Sequence, residues 1–420
     1  MRRIARAKKG KEVDLQDVNT IDLGKELGLT LLSDSNKADI KNIIPTMIPQ
    51  YDRILGGGIP LGRLTEIYGL NASGKSSLAV HLSRVTTQLG VITIWIDVEG
   101  TADNSRMEQL GVDPTSLFAI QAGEGRLKNK AEITVETVGE ELEYYIKTIN
   151  EKQPGVPVLF IWDSLAHTPS QIEMDMEYGS ERMGVKSKSI TQLVNKITPL
   201  LNDTNTGLIV INQARDDLKA GMYGDPIKST GGRAFEHSAS LRIKVHKASQ
   251  IKQASELTGK DEYHGHIMRI ETKKSKLSRP NQKAEAELLS EWAIDNGEVL
   301  NGLDIEYNIY QEAVNRGLIT KGQWRNYVTL NGEELKLRDK EWVPLLKENR
   351  ELFLEIFSRT YNENFPNGYA PLSNSKVDIQ QLEEYQALEK HYAELEEENN
   401  KQEEQQEEET KGESQEKGSE

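Results

Sequence analysis

The sequence predicts an α/β protein whose core has a mainly parallel central sheet with an antiparallel extension. A small amino-terminal helical segment and a small carboxy-terminal α+β module flank that core. Three observations carry this prediction. Near-continuous Val/Ile/Leu runs at residues 91–97, 117–121, 158–163 and 208–213 alternate with amphipathic stretches at 135–150 and 185–201, the pattern of parallel strands covered on both faces. The runs at 238–246, 265–272 and 283–289 follow without helices between them and read as antiparallel strands. Between the strand-like residues 64–68 and the helix-like residues 77–84 lies Gly-Leu-Asn-Ala-Ser-Gly-Lys-Ser at 69–76, a phosphate-binding loop in its full strand, loop and helix context.

Taken in order, residues 1–43 are polar and helical in pattern, and are expected to form an amino-terminal oligomerisation segment. Their basic start, Met-Arg-Arg-Ile-Ala-Arg-Ala-Lys-Lys-Gly-Lys, lacks the apolar centre of a secretory signal. Residues 44–302 form the expected core, and its longest apolar run, 156–162, is far short of the ~20 residues that cross a bilayer. Residues 303–377 change character: a helix at 305–315, a hairpin around Thr329-Leu-Asn-Gly332 and two short helices ending near Tyr361 make the small module. Residues 378–420 hold 16 acidic and 4 basic residues, which leaves the rest of the chain near −3 of a total of −15. Such Glu/Gln/Lys-rich sequence reads as a disordered acidic tail. With no cysteine in the chain, disulfides and thiolate metal sites are excluded and a soluble, cytoplasmic protein is expected.

The chemistry sits at the strand ends. Main-chain N–H groups of Gly69, Leu70, Asn71, Ala72, Ser73 and Gly74 are expected to close around the β- and γ-phosphates of a nucleoside triphosphate. Lys75 neutralises phosphate charge, the Ser76 hydroxyl holds Mg²⁺, and Ser77 continues the helix that turns its positive end to the ligand. Asp163 closes an apolar strand where such sites keep the carboxylate that binds the Mg²⁺ water shell. Glu99 ends the preceding strand, in Trp95-Ile-Asp-Val-Glu-Gly100, and can polarise the attacking water; Asp97 is a rival base. Gln213, at the next strand end, can sense the γ-phosphate and move the loop beyond it.

The segment Ile59-Pro-Leu-Gly-Arg-Leu-Thr-Glu-Ile-Tyr-Gly-Leu-Asn-Ala-Ser-Gly-Lys-Ser-Ser-Leu78 resembles the RecA family of homologous-recombination ATPases. The likeness continues in order through Leu110-Gly-Val-Asp113, Trp162-Asp-Ser-Leu-Ala166, Arg182-Met-Gly184, Val210-Ile-Asn-Gln-Ala-Arg215, Met222-Tyr-Gly-Asp-Pro226 and Ser229-Thr-Gly-Gly232. It spans roughly residues 40 to 365, and its later motifs are far rarer than a phosphate loop alone. The resemblance implies ATP with Mg²⁺, Glu99 as catalytic glutamate and Gln213 as γ-phosphate sensor. It also implies a helical homo-oligomeric filament on single-stranded DNA, pairing with homologous duplex DNA, and single-strand-binding and loader proteins as helpers.

Two segments, from 169 to about 183 and from 215 to 229, align with that family's DNA-binding loops. The first is acidic, so its contacts are expected at Arg182, Met183, Lys186 and Lys188; the second offers Arg215, Lys219, Met222 and Tyr223. Lys274 and Lys276, one residue apart, fall on one side of a strand and repel unless an anion lies opposite. The resemblance sets this pair on a neighbouring subunit's γ-phosphate, as a finger in trans. It further assigns Asp103 and Arg106 to the nucleotide, with Arg106 where the family stacks a tyrosine on adenine, and puts His237 where relatives carry an aromatic residue. The resulting expectation is a DNA-dependent ATPase that performs strand exchange. A ring-forming motor on the same core and a non-exchanging mediator are the alternatives.

Overall fold

The computed structural model describes residues 27–30, 42–100, 102–177, 184–216, 227–229, 232–254, 260–293 and 299–365, with 383–384, 386–388, 390–395, 397 and 401. The chain divides into two compact units, Met1–Asp39 and Ile40–Glu420. Nearly all of the expected amino-terminal segment lies outside the described residues, as do Arg182, Met183, Lys219, Met222 and Tyr223.

The second unit is built on one large sheet. A two-stranded antiparallel ladder, β1 (Ile43–Ile44) with β2 (Ile59–Pro60), stands apart from it. Strands β3 (Leu64–Gly69), β4 (Ile92–Asp97), β5 (Leu117–Ile120), β6 (Val158–Asp163) and β7 (Thr206–Asp216) pair in the order β3-β7-β6-β4-β5, all parallel. On the other side of β3, β9 (Leu241–Ala254) is also parallel, and β10 (Asp261–Ser275), β11 (Lys283–Ala293) and β12 (Val299–Gly302) continue antiparallel. The expected parallel core with its antiparallel extension is therefore the architecture found.

Alternation along each strand divides the apolar side chains between two cores. On β6, Leu159 and Ile161 face one cluster, whereas Val158, Phe160 and Trp162 face the other, and all five are buried. Removing each such side chain from water contributes ~1.5–3 kcal/mol. Helices α4 (Val135–Lys152) and α6 (Val185–Asp203) cover the second cluster. The first is covered by α1 (Pro49–Leu55) and α2 (Lys75–Gln88), and it runs on without a break into the carboxy-terminal elements. Those are α8 (Ile305–Arg316), the hairpin β13 (Trp324–Val328) and β14 (Glu334–Arg338), α9 (Asp339–Glu348) and α10 (Arg350–Asn364). Asp304 caps α8 by accepting from the Tyr307 N–H at 2.9 Å, and Gly317 ends it at φ 80.

The structure departs from expectation at four places. Strand β7 does not stop at Gln213, because β8 (Ile227–Ser229) pairs with it antiparallel, Arg215 opposite Lys228, and carries it to Asp216. Lys276 lies beyond β10, which ends at Ser275 after a register shift at Lys274. The acidic segment after 169 begins as a short helix, α5 (Gln171–Met174): the Glu173 carboxylate accepts from the Ser170 N–H at 2.8 Å, a capping use for charge that otherwise suits DNA poorly. Described residues of the acidic tail, 383–384, 386–388 and 390–395, are helical, with Leu388 buried in the first core and Tyr392 packed against it. Leu388, His391, Tyr392 and Leu395 recur at helical spacing, so this stretch has an apolar stripe that its glutamates obscure.

Candidate active site

Parallel pairing puts the ends of four strands together: Gly69 is opposite Gln213, and Asp97 opposite Asp163. Ligands of open α/β sheets bind outside such carboxyl ends. From Gly69 the chain turns through Ala72 at φ 55 and Gly74 at φ 100 into α2. A Cβ on Gly69 would stand 2.3 Å from the Val245 carbonyl oxygen, so the close approach of β9 demands glycine there. Within the loop the Ser73 hydroxyl is buried with no hydrogen-bond partner, an orphan of the kind a phosphate oxygen satisfies.

The Lys75 ammonium donates to the Leu70 carbonyl at 2.9 Å, folded back over the loop. Burial pulls its pKa down, and the carboxylates of Asp163 and Glu99 oppose that shift. Burial pushes the Asp163 carboxyl up to about 6, against a hydrogen bond from the Ser76 hydroxyl; Glu99 and Asp97 raise it further. Ser76 and Asp163 thus stand in contact and fit Mg²⁺, which takes one or two protein oxygens and completes its shell with water and phosphate. Among the described residues no cluster of three His, Cys, Asp or Glu could hold a metal unaided.

The two rival carboxylates have different surroundings. Asp97 is buried and already accepts from the Gln121 amide at 2.9 Å and the Ala102 N–H at 3.2 Å. Glu99 opens to the cleft, its carboxylate bonded to His167 Nδ1 and accepting from the Ser164 hydroxyl at 2.6 Å. Both donors reach Oε1, which leaves Oε2 to meet a water. Gln213 packs against the same histidine, its amide nitrogen 3.3 Å from Nε2 and 3.4 Å from Nδ1. His167 is absent from the expected site residues. Its position four residues after Asp163 was its only sequence signal.

The bases of both expected DNA-binding segments adjoin this cluster. Lys186, in the first turn of α6, donates to the Ala166 carbonyl at 2.8 Å, and burial lowers its pKa, with Glu173 opposing and Arg215 adding to the shift. Lys186 and Arg215 therefore lie within range of each other's like charge; Arg215 and Lys188 are exposed. Lys274 turns inward instead, donating to the Glu236 carbonyl at 3.0 Å and the His237 carbonyl at 2.5 Å, at the end of α7 (Arg233–Ser238). Burial lowers its pKa, and Lys276 is the first charge adding to that, so the two lysines remain near one another. Asp103 caps α3 (Asn104–Gln109) through the Arg106 N–H at 2.9 Å, and the exposed Arg106 guanidinium reaches Gln109 at 3.5 Å. Neither is brought to the Glu99 cluster by any of these bonds.

A family model described as the RecA N-terminal domain matches residues 12–295. Similar proteins include Protein RecA from Thermotoga sp. (strain RQ2), 31% identical over 336 residues that cover 79% of this chain and 85% of its own. Protein RecA from Chlorobium chlorochromatii (strain CaD3) is 31% identical over 300 residues, 71% of this chain and 75% of its own. Protein RecA from Geobacter sulfurreducens is 30% identical over 342 residues, covering 81% and 90%.

Proposed function

The chain belongs to the RecA family, and on that premise we propose that it is a DNA-dependent ATPase that forms helical filaments on single-stranded DNA and pairs that strand with a homologous duplex. The observation that carries the reading is a convergence: the phosphate loop, the Ser76–Asp163 contact, Glu99 and Gln213 share one cleft with the bases of both expected DNA-binding segments. A site for ATP alone has no need of Lys186 and Arg215 within range of each other's charge at its edge. The described residues include no helix long and apolar enough to cross a membrane, and the proposed place of work is the cytoplasm, the host's where the gene is carried by a phage.

In the proposed reaction Lys75 leaves the Leu70 carbonyl for the phosphates, and main-chain N–H groups of the loop hold them in line. Ser76 and Asp163 would hold Mg²⁺, which supplies neutralisation of the developing phosphate charge. Glu99, anchored through one oxygen, takes a proton from water as that water's oxygen bonds to the γ-phosphorus and the bond to ADP breaks. Lys274 is proposed to release the carbonyls of α7 and, with the exposed Lys276, to reach a neighbouring subunit's nucleotide on assembly. The folded-back state of Lys274 suits a group held idle until a partner arrives.

Electron microscopy of the protein with single-stranded DNA and a nonhydrolysable ATP analogue tests the assembly. Helical filaments are expected, together with strand exchange in a joint-molecule assay. Closed rings would favour a ring motor, and filaments without exchange a mediator.

A further inference from the structure

We propose that His167 is the positioning residue through which the two DNA-binding segments govern Glu99, an inference that rests on the DNA-dependent ATPase reading. One ring touches both catalytic elements. Its Nδ1 bonds the Glu99 carboxylate and lies 3.0 Å from the Ser164 hydroxyl, while its Nε2 meets the Gln213 amide nitrogen at 3.3 Å. The Gln213 amide nitrogen is also 3.4 Å from Nδ1, so the amide packs over the ring between its two nitrogens while Nδ1 meets Glu99.

The ring is also tied to both segments. Gln213 precedes Arg215 by two residues on β7, whose pairing with β8 clamps the two ends of the second segment. The carbonyl of Ala166, immediately before His167, is held by Lys186 at the base of the first. Anion contact at Lys186 or Arg215 therefore pulls on a neighbour of His167 from either side. The groups touching the ring are Glu99 from the β4 end, Ser164 after β6 and Gln213 from β7; Lys186 is one step out, on the Ala166 carbonyl, and Arg215 lies within charge-interaction range of Lys186. The side chain is 48% exposed, so it has room to swing. A shift of the ring turns the Glu99 carboxylate, since one of the two donors on Oε1 moves with it. His167 itself touches no reacting atom.

The experiment is steady-state ATP hydrolysis by the full chain, with and without single-stranded DNA, for the wild type, His167→Ala, His167→Asn, Gln213→Ala and the His167→Ala/Gln213→Ala double variant. His167→Ala is expected to lower the DNA-stimulated kcat about tenfold or more while KM for ATP stays within about twofold, the signature of lost positioning rather than lost binding. Asparagine keeps a donor where Nδ1 stood but offers nothing at Nε2. His167→Asn should therefore recover the DNA-independent kcat relative to alanine while the stimulation ratio stays low. The double variant should be no worse than the poorer single one, because both act along one path. Full DNA stimulation of His167→Ala, multiplicative defects in the double variant, or a change confined to KM would each overturn the proposal. A wild type that DNA does not stimulate would overturn the functional reading and this inference together, which separates the two failures.

Discussion

At the start of α2 the partly dehydrated Lys75 ammonium leans on the Leu70 carbonyl, so it can transfer to a phosphate without exposing a second buried group. Glu99 is differently placed, because its carboxylate is oriented by neighbours and needs no nucleotide to hold it. Their variants should consequently separate. Lys75→Ala is expected to weaken ATP binding roughly 10- to 100-fold, the worth of a charge-assisted contact. Glu99→Gln should bind ATP within about threefold of wild type yet lose on the order of 10²-fold or more in kcat, and remain longer on DNA. Equilibrium nucleotide titration and phosphate release measure the two effects. Near-normal turnover by Glu99→Gln would return the role to Asp97, which would then have to shed Gln121 and the Ala102 N–H. The phosphate loop was legible in the sequence because its residues are contiguous. His167 was not, since its partners Glu99 and Gln213 lie 68 and 46 residues away and only the register of β4, β6 and β7 brings them together.

Between elements, the buried joint connecting α1 to α10 sets a pH dependence. The fully buried Asp52 carboxylate accepts from the Thr46 N–H at 2.7 Å, the Thr46 hydroxyl at 2.7 Å and the Tyr361 hydroxyl at 2.6 Å. Burial pushes this carboxyl up to about 7, with Tyr361 and Thr46 holding it back. Native Asp52 keeps its proton up to that pH, whereas the unfolded carboxyl loses it near 4, so its contribution to stability is complete below about 4 and is lost as pH rises through about 7. Nearby His81, its Nε2 2.7 Å from the Thr46 carbonyl oxygen, is held down to about 4 by burial, and Arg84 adds to that. Its contribution runs the other way, present above about 6.5 and lost as pH falls through about 4. Asp52→Asn removes only the first slope. Relative to wild type, the variant should gain stability steadily from pH 4 to 7, by a few kcal/mol at most, and then level off. Urea denaturation across that range measures it, and a pH-independent difference would remove Asp52 as the source. The strands and their parallel character were legible here from near-continuous apolar runs, but this joint was not, because Asp52 and Tyr361 are 309 residues apart. Nor was the extension of β7, which depends on β8 returning to pair with it.

For the whole molecule, the carboxy-terminal charge divides into two parts of unlike physics. Residues 378–401 and 402–420 each carry 8 acidic and 2 basic residues, yet only the first holds Leu388, buried in the main core. Within it, Glu383 and Glu384 are already engaged by Arg350 on α10. Glutamates so paired are poor competitors for a basic surface. Residues 402–420 carry a net −6, and we propose that they compete with DNA for the proposed binding segments as a polyanion tethered to the same chain. Ending the chain at Lys401 should therefore speed association with duplex DNA at low ionic strength, and the advantage should fade as salt shortens the screening length towards ~8 Å. Leu388→Ala should do the opposite: leave association rates alone and cost about 2–4 kcal/mol of stability as the cavity opens. Rates measured across salt for the full chain, the chain ending at Lys401 and Leu388→Ala distinguish the parts. Salt curves that coincide for the full and shortened chains would reduce residues 402–420 to a solubilising extension. A Leu388→Ala protein as stable as wild type would show that the preceding stretch adds no packing to the core.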